Sequence, residues 1–297
     1  MLGMILMTAC SSGNQKSDNT KANEKAASIN DTINLIDSYL TTLAREKNFS
    51  GGLLIIKDGN QLLSKGYGWA DKENKLPFTT STLASMGSIT KAFTAAAIMK
   101  LTEENKIQLN DPLKKFFHNA PADKENITIH QLLTHSAGFH EFLQKDGGDY
   151  EKVNTAEYLQ RAFGEPLAFK PGEKSVYTNV GFSILGIIIE QVSGMDYESY
   201  LKTHLFQTAG IKGIGYHYPA SATNTIAVGY QNGKIWGTHQ KHFEQSGGGP
   251  YWNLKANGGL EASLDDMYLW ANAISNKTIL SEASIQKMFE PQIEEEG

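Results

Sequence analysis

A serine hydroxyl, a lysine amine and a tyrosine phenol are the parts of a metal-free acyl-transfer site. The chain carries them in two short segments, Ser88-Ile89-Thr90-Lys91 and Tyr177-Thr178-Asn179. A serine hydroxyl is a poor nucleophile until a neighbour takes its proton. A lysine does this near neutral pH when burial or nearby positive charge lowers its proton affinity, and a tyrosine beside it shares the task.

Such a set works only if a fold brings it together. The Ala- and Met-rich run from Ala92 to Met99 predicts a helix from Ser88 to about Thr102. Ser88 then falls in the first turn, with Lys91 one turn further on the same face. The unpaired N–H groups and positive dipole end of that helix favour negative charge developing beside the hydroxyl, which supplies part of an oxyanion hole. Four-residue motifs recur by chance, and Ser284-Ile285-Gln286-Lys287 fits the same pattern. Ser88 is set apart by the preceding Gly87 and by the small residues after it, which let a helix be buried. Ser284 lies in a charged amphipathic segment and reads as a surface or helix-cap residue.

The segment from Met86 to Ile98 closely resembles the nucleophile helix of the serine β-lactamase and penicillin-binding-protein superfamily, in its class C β-lactamase-related branch. Three further collinear stretches, Leu132 to Gly138, Pro171 to Gly186 and Asn257 to Met267, extend the resemblance. It implies an α+β, β-lactamase/transpeptidase-like fold: an antiparallel sheet flanked by helices, plus an all-α lobe at about residues 102–206. It also implies that Ser88 is acylated, that Lys91 is its base partner, that Tyr177 relays the proton to and from the leaving group, and that Asn179 orients substrate and Lys91. No metal or cofactor belongs to that scheme. Asn is also a common helix N-cap, and an apolar run from Val180 to Val192 starts directly after Asn179, so both readings of Asn179 stay open.

The third box usual in this branch, Lys-Thr-Gly or His-x-Gly on the strand edging the site, does not occur downstream of Met267. The expectation is a chain cut short at its C-terminus and lacking its last strands.

With 297 residues, 40% hydrophobic and 20% charged, the chain is long enough to bury a large core, expected as one unit of two interleaved lobes from residue 28 onward. A net charge of -5 gives no electrostatic reason to bind nucleic acid, and no segment reaches the ~18–20 apolar residues that span a bilayer. The first ten residues form a short apolar run ending at Cys10, the one cysteine in the chain. They resemble the tail of a bacterial lipoprotein signal, with Cys10 acylated and the protein held at the cell envelope, facing the periplasm or the surface. A plain secretory signal is the alternative. Residues 11–27 carry no large apolar side chain and read as a disordered tether.

Ile29, Ile33, Leu35, Ile36, Tyr39, Leu40 and Leu43 recur at helical spacing, with Ser28 and Asn30 as candidate caps. Residues 52–57 and 61–67 flank Asp58-Gly59-Asn60 and read as a hairpin. Helices are expected at Ile129–Leu133, Thr155–Phe163, Val180–Val192 and Tyr197–Phe206. His135 reads as a loop brace that works through backbone hydrogen bonds. His239 and His242 have metal-pair spacing but read as a chance pair in a loop. The aromatic-rich stretch from Gly213 to Gly249 is where substrate specificity is expected.

Three functions fit. A serine hydrolase forms an acyl-enzyme on Ser88 with a β-lactam, a D-Ala-D-Ala-type or peptidoglycan-derived peptide, or a small ester. A penicillin-binding-like receptor of cell-wall fragments is acylated without turnover. A surface protein retains the scaffold without chemistry.

Overall fold

The computed structural model describes residues 18–218 and 225–293. Cys10, the signal segment and residues 11–17 of the expected tether lie outside them. The chain divides into two compact units, one up to Thr80 and one from Ser81 onward.

In the first unit, α1 (Asp18–Glu46) precedes the strands β1 (Gly51–Lys57), β2 (Asn60–Tyr67), β3 (Trp69–Asp71) and β4 (Leu76–Pro77). Residues 18–27, expected as tether, are therefore helical, and Ser28 lies inside the helix rather than capping it. Ala22, Glu24, Lys25, Ala26 and Ala27 are strong helix formers by type and propagate a helix already fixed downstream. The buried stripe is narrower than expected, since Leu35 is 71% and Tyr39 61% exposed. α1 is tied to β2 by Asp37, whose carboxylate accepts from Lys65 Nζ at 2.7 Å and from the Tyr67 hydroxyl at 2.8 Å. β1 and β2 pair antiparallel around a turn of two residues, not three. Asp58 and Gly59 both take positive φ, 50° and 76°, the requirement of the tight turn that suits strand twist.

In the second unit, β5 (Ala84–Ser85) leads through a 3₁₀ turn at Gly87–Ile89 into α2 (Thr90–Glu103). There follow α3 (Ile129–Leu133), α4 (Thr155–Gly164), α5 (Asn179–Ser193) and α6 (Tyr197–Leu201), with a π-helical turn at Lys202–Phe206. The last elements are β6 (Gly229–Gln231), β7 (Lys234–Gly237), α7 (His239–Gln245), β8 (Glu261–Ala262), α8 (Leu264–Ser275) and α9 (Glu282–Phe289). The described strands pair two by two, all antiparallel: β1 with β2, β3 with β4, β5 with β8, β6 with β7. The pairing β5–β8 joins residues far apart in sequence directly ahead of the nucleophile turn.

The core of this unit is built on α5, in which every residue from Val180 to Ile189 is buried. Gly186 allows the segment around Ala256 to lie against α5, because a Cβ at position 186 would sit 2.4 Å from the Ala256 Cβ and 3.0 Å from the Trp252 ring. α2 packs beside α5, and its Phe93, Ala96, Ala97 and Ile98 are fully buried.

Two further expectations are corrected. Ser284 is not a surface or cap residue: Ser281 caps α9, Ser284 is buried behind it, and Lys287 pairs with Glu290. His239 and His242 lie on a short helix, not in a loop; flanking glycines and a length of under two turns hide its period.

Candidate active site

Ser88 sits in the 3₁₀ turn ahead of α2 rather than in its first α-helical turn. Gly87, at φ +50°, makes that turn available, since the left-handed region is costly for most residues with a Cβ. Ser88 is exposed, whereas Lys91, in the first turn of α2, is only 6% exposed.

Three acceptors surround the Lys91 amine. Its Nζ lies 2.7 Å from Asn179 Oδ1, 2.7 Å from the Asn257 carbonyl and 3.3 Å from Ser88 Oγ. Its fourth side is ring: Nζ stands 4.7 Å from the Tyr177 centroid and 5.7 Å from that of Phe182. Burial is the main cause that lowers the Lys91 pKa to about 8, partly offset by the Glu141 carboxylate. A substantial fraction of this lysine is neutral at mildly alkaline pH, as a base must be.

Tyr177 reaches the nucleophile from the other side, its hydroxyl donating to Ser88 Oγ at 2.6 Å. The ring is 42% exposed, but its backbone is fixed by His135. α3 ends in a Schellman-type cap: His135 N–H bonds the Leu132 carbonyl at 3.3 Å, and Ser136 N–H bonds the Gln131 carbonyl at 2.9 Å. His135 occupies the left-handed position at φ +57°, which imidazole side chains enter more readily than most. From there its carbonyl accepts from Val176 N at 3.0 Å and its Nδ1 accepts from Thr178 N at 3.1 Å. One residue thus holds both neighbours of Tyr177. The imidazole also lies 4.8 Å from the Tyr177 ring. Burial, then the Lys91 charge, lowers its pKa to about 4, so it stays neutral and Nδ1 stays an acceptor near pH 7.

Thr178, not Asn179, caps α5, its side chain accepting from Gly181 N. Asn179 is the first helical residue, which frees its amide to face Lys91, while its own N–H donates to the Glu141 carbonyl at 2.9 Å. Asn257 is held by its side chain, which donates to Ser183 Oγ at 2.8 Å and to the Asn253 carbonyl at 3.0 Å. Its main-chain oxygen is then left for Lys91. Sequence reasoning named Ser88, Lys91, Tyr177 and Asn179, and all four meet here. It missed Asn257, because a carbonyl role has no side-chain signature, and Glu141.

The aromatic stretch from Gly213 to Gly249 splits in the structure. Tyr216 and Phe243 are core residues, while Trp236, His239 and His242 gather as packed rings around Tyr150 from the loop ahead of α4. Among the described residues no group of three or more His, Cys, Asp or Glu side chains is arranged to hold a metal ion, and no helix is long and apolar enough to cross a membrane.

The arrangement has what acyl transfer needs: an exposed hydroxyl, a buried amine of lowered proton affinity beside it, and a phenol in contact with both. Residues 36–295 match the family model Beta-lactamase, and the chain belongs to that family. It is similar to the putative penicillin-binding protein PbpX of Bacillus subtilis, 28% identical over 93% of this chain and 66% of that protein. It is also similar to protein flp of Staphylococcus aureus, 32% identical over 68% of this chain and 42% of that protein. The chain thus spans about two thirds or less of these relatives. Among solved structures, an octameric penicillin-binding protein homologue from Pyrococcus abyssi superposes with a TM-score of 0.71 at 31% identity, over 87% of this chain and 60% of that one. A penicillin-binding protein from Bacillus halodurans gives the same TM-score at 26% identity, over 87% and 80%. The fold is that of the β-lactamase and penicillin-binding-protein superfamily.

Proposed function

We propose that the protein is a serine hydrolase that works through an acyl-enzyme on Ser88. The observation that carries this reading is the convergence of Tyr177 Oη and Lys91 Nζ on Ser88 Oγ, at 2.6 and 3.3 Å. Ser88 Oγ attacks the carbonyl carbon of the substrate, its proton passing to neutral Lys91. Tyr177 carries a proton onward to the leaving group, and water later releases the acyl group. Asn179 and the Asn257 carbonyl hold the lysine amine throughout. The substrate class is a β-lactam, a D-Ala-D-Ala-type or peptidoglycan-derived peptide, or a small ester.

A second reading is a receptor that is acylated and holds the adduct. Its similarity to the Bacillus subtilis putative penicillin-binding protein and to the two penicillin-binding protein structures favours it. Intact mass spectrometry with a penicillin and with a nitrophenyl ester tests both. An adduct that decays indicates a hydrolase and a lasting one a receptor. No adduct with either reagent, in a chain indistinguishable from Ser88→Ala, would leave only a non-catalytic scaffold and sink the reading.

An envelope location with Cys10 as lipid attachment belongs to the same proposal. Radiolabelled palmitate incorporated in a bacterial host by the parent chain and not by Cys10→Ala supports it; equal labelling refutes it.

A further inference from the structure

Three residues before the nucleophile stands a second hydroxyl with its own base. Ser85 Oγ lies 2.9 Å from His239 Nε2, and the other ring nitrogen, Nδ1, lies 2.7 Å from the Tyr150 hydroxyl. Ser85 is exposed, so a reagent reaches it, while His239 is 8% exposed and fixed in place. Its ring lies 5.3 Å from Trp236 edge to face and 5.9 Å from Phe243 in a stack. The elements involved are separate: Ser85 comes from β5, His239 from the start of α7, Tyr150 from the loop ahead of α4. A nucleophile within hydrogen-bond reach of a base whose far side is oriented by a third group is the geometric signature of an activated hydroxyl.

We infer that Ser85, with His239 as base and Tyr150 as its orienting partner, is a second acylatable site on this chain, open to small activated esters and fluorophosphonates. In the working tautomer Nδ1–H donates to the Tyr150 oxygen and Nε2 accepts from Ser85. Ser85 Oγ forms a bond to the acyl carbon or phosphorus, its proton passes to Nε2, and the phenolate, alkoxide or fluoride leaves and takes up that proton. The Gly87 N–H donates weakly to Ser85 Oγ, at 3.4 Å, and helps fix the hydroxyl beside His239. Burial, then the neighbouring His242, lowers the His239 pKa to about 4. The ring is therefore in its neutral, proton-accepting form at pH 7, but it is a weak base. The site should label stoichiometrically and slowly instead of turning over.

The proposal does not depend on the Ser88 reading, and the test keeps the two apart. The chain and its Ser88→Ala variant are treated with diisopropyl fluorophosphate and with p-nitrophenyl acetate, and the modified serine is assigned by fragmentation of the peptide that carries Ser81, Ser85 and Ser88. Label is expected on Ser85 in both proteins, above the background that exposed Ser81 reports, and lower by tenfold or more in Ser88→Ala/His239→Asn. Tyr150→Phe, which keeps the ring packing, should lower it several-fold and covers the case that the histidine variant does not fold. Labelling of Ser85 no greater than that of Ser81, or unchanged by both His239→Asn and Tyr150→Phe, overturns the proposal. Label confined to Ser88 upholds the first site and removes the second.

Discussion

The Tyr177 hydroxyl donates to Ser88 Oγ at 2.6 Å across 89 positions of sequence, and the same ring lies 4.7 Å from Lys91 Nζ. The phenol touches nucleophile and base at once. Tyr177→Phe keeps the ring against His135 and Lys91 and removes only the proton path. Acylation of Ser88 by a nitrophenyl ester should fall by ~10²–10⁴-fold with little change in thermal midpoint, since the residue is 42% exposed and its ring contacts remain. Stopped-flow or mass-resolved acylation rates check this; a loss below tenfold would remove Tyr177 from the proton path.

Lys91 sets the pH dependence. Its neutral form is the base, and burial brings its pKa to about 8. The acylation rate should therefore rise with pH through a midpoint near 8 and level off above it. A profile flat between pH 6 and 9.5 would mean that another group takes the Ser88 proton.

His135 acts on Tyr177 through backbone, accepting from Val176 N and Thr178 N. His135→Ala loses the Nδ1 acceptor and the ring contact and leaves the Thr178 N–H without its partner, at a cost of about 1–3 kcal/mol. Acylation should drop by at least tenfold, while His135→Asn, which keeps a side-chain acceptor and tolerates the left-handed backbone, should recover part of it. Equal rates for the two variants would show that the cap alone matters.

How much of this was legible in the sequence depends on whether a side chain or a backbone does the work. The apolar run from Val180 to Val192 announced α5, because a helix buried on nearly all sides needs no polar face. Ser88, Lys91, Tyr177 and Asn179 were readable because their chemistry sits in their side chains and their local sequence matches a family pattern. The Asn257 carbonyl was not, since any residue has one; tertiary packing, with its side chain tied to Ser183 and Asn253 and the segment lying against Gly186, puts it beside Lys91. The start of α1 escaped because residues 18–27 have helix-forming side chains but no apolar stripe. α7 escaped because seven residues cannot display a period.

Gly186 links packing to chemistry. Gly186→Ala gains about 1 kcal/mol of helix propensity, but its Cβ would stand 2.4 Å from that of Ala256, an overlap that costs about 1–3 kcal/mol or more. The overlap wins. The thermal midpoint should fall by a few degrees, and acylation should slow as the Asn257 carbonyl is pushed away from Lys91. A variant as stable and as fast as the parent would show that the 256–257 segment yields freely.

Glu261 is a buried acid that the site does not use. It is 2% exposed, its carboxyl meets Gln240 Nε2 at 3.2 Å, and burial raises its pKa to about 7. Between pH 4.5 and 7 the unfolded chain has released this proton and the folded chain has kept it. The unfolded state binds fewer protons there, so stability from this group is full below pH 4.5 and is lost as pH rises to 7, by up to about 3 kcal/mol. Glu261→Gln is uncharged at every pH and keeps an oxygen for Gln240. It should be more stable than the parent at pH 8 by about 1–3 kcal/mol and nearly equal to it at pH 5. Urea denaturation of both proteins at the two pH values measures the difference, and a gap at pH 5 as large as that at pH 8 would place the effect in packing instead of protonation.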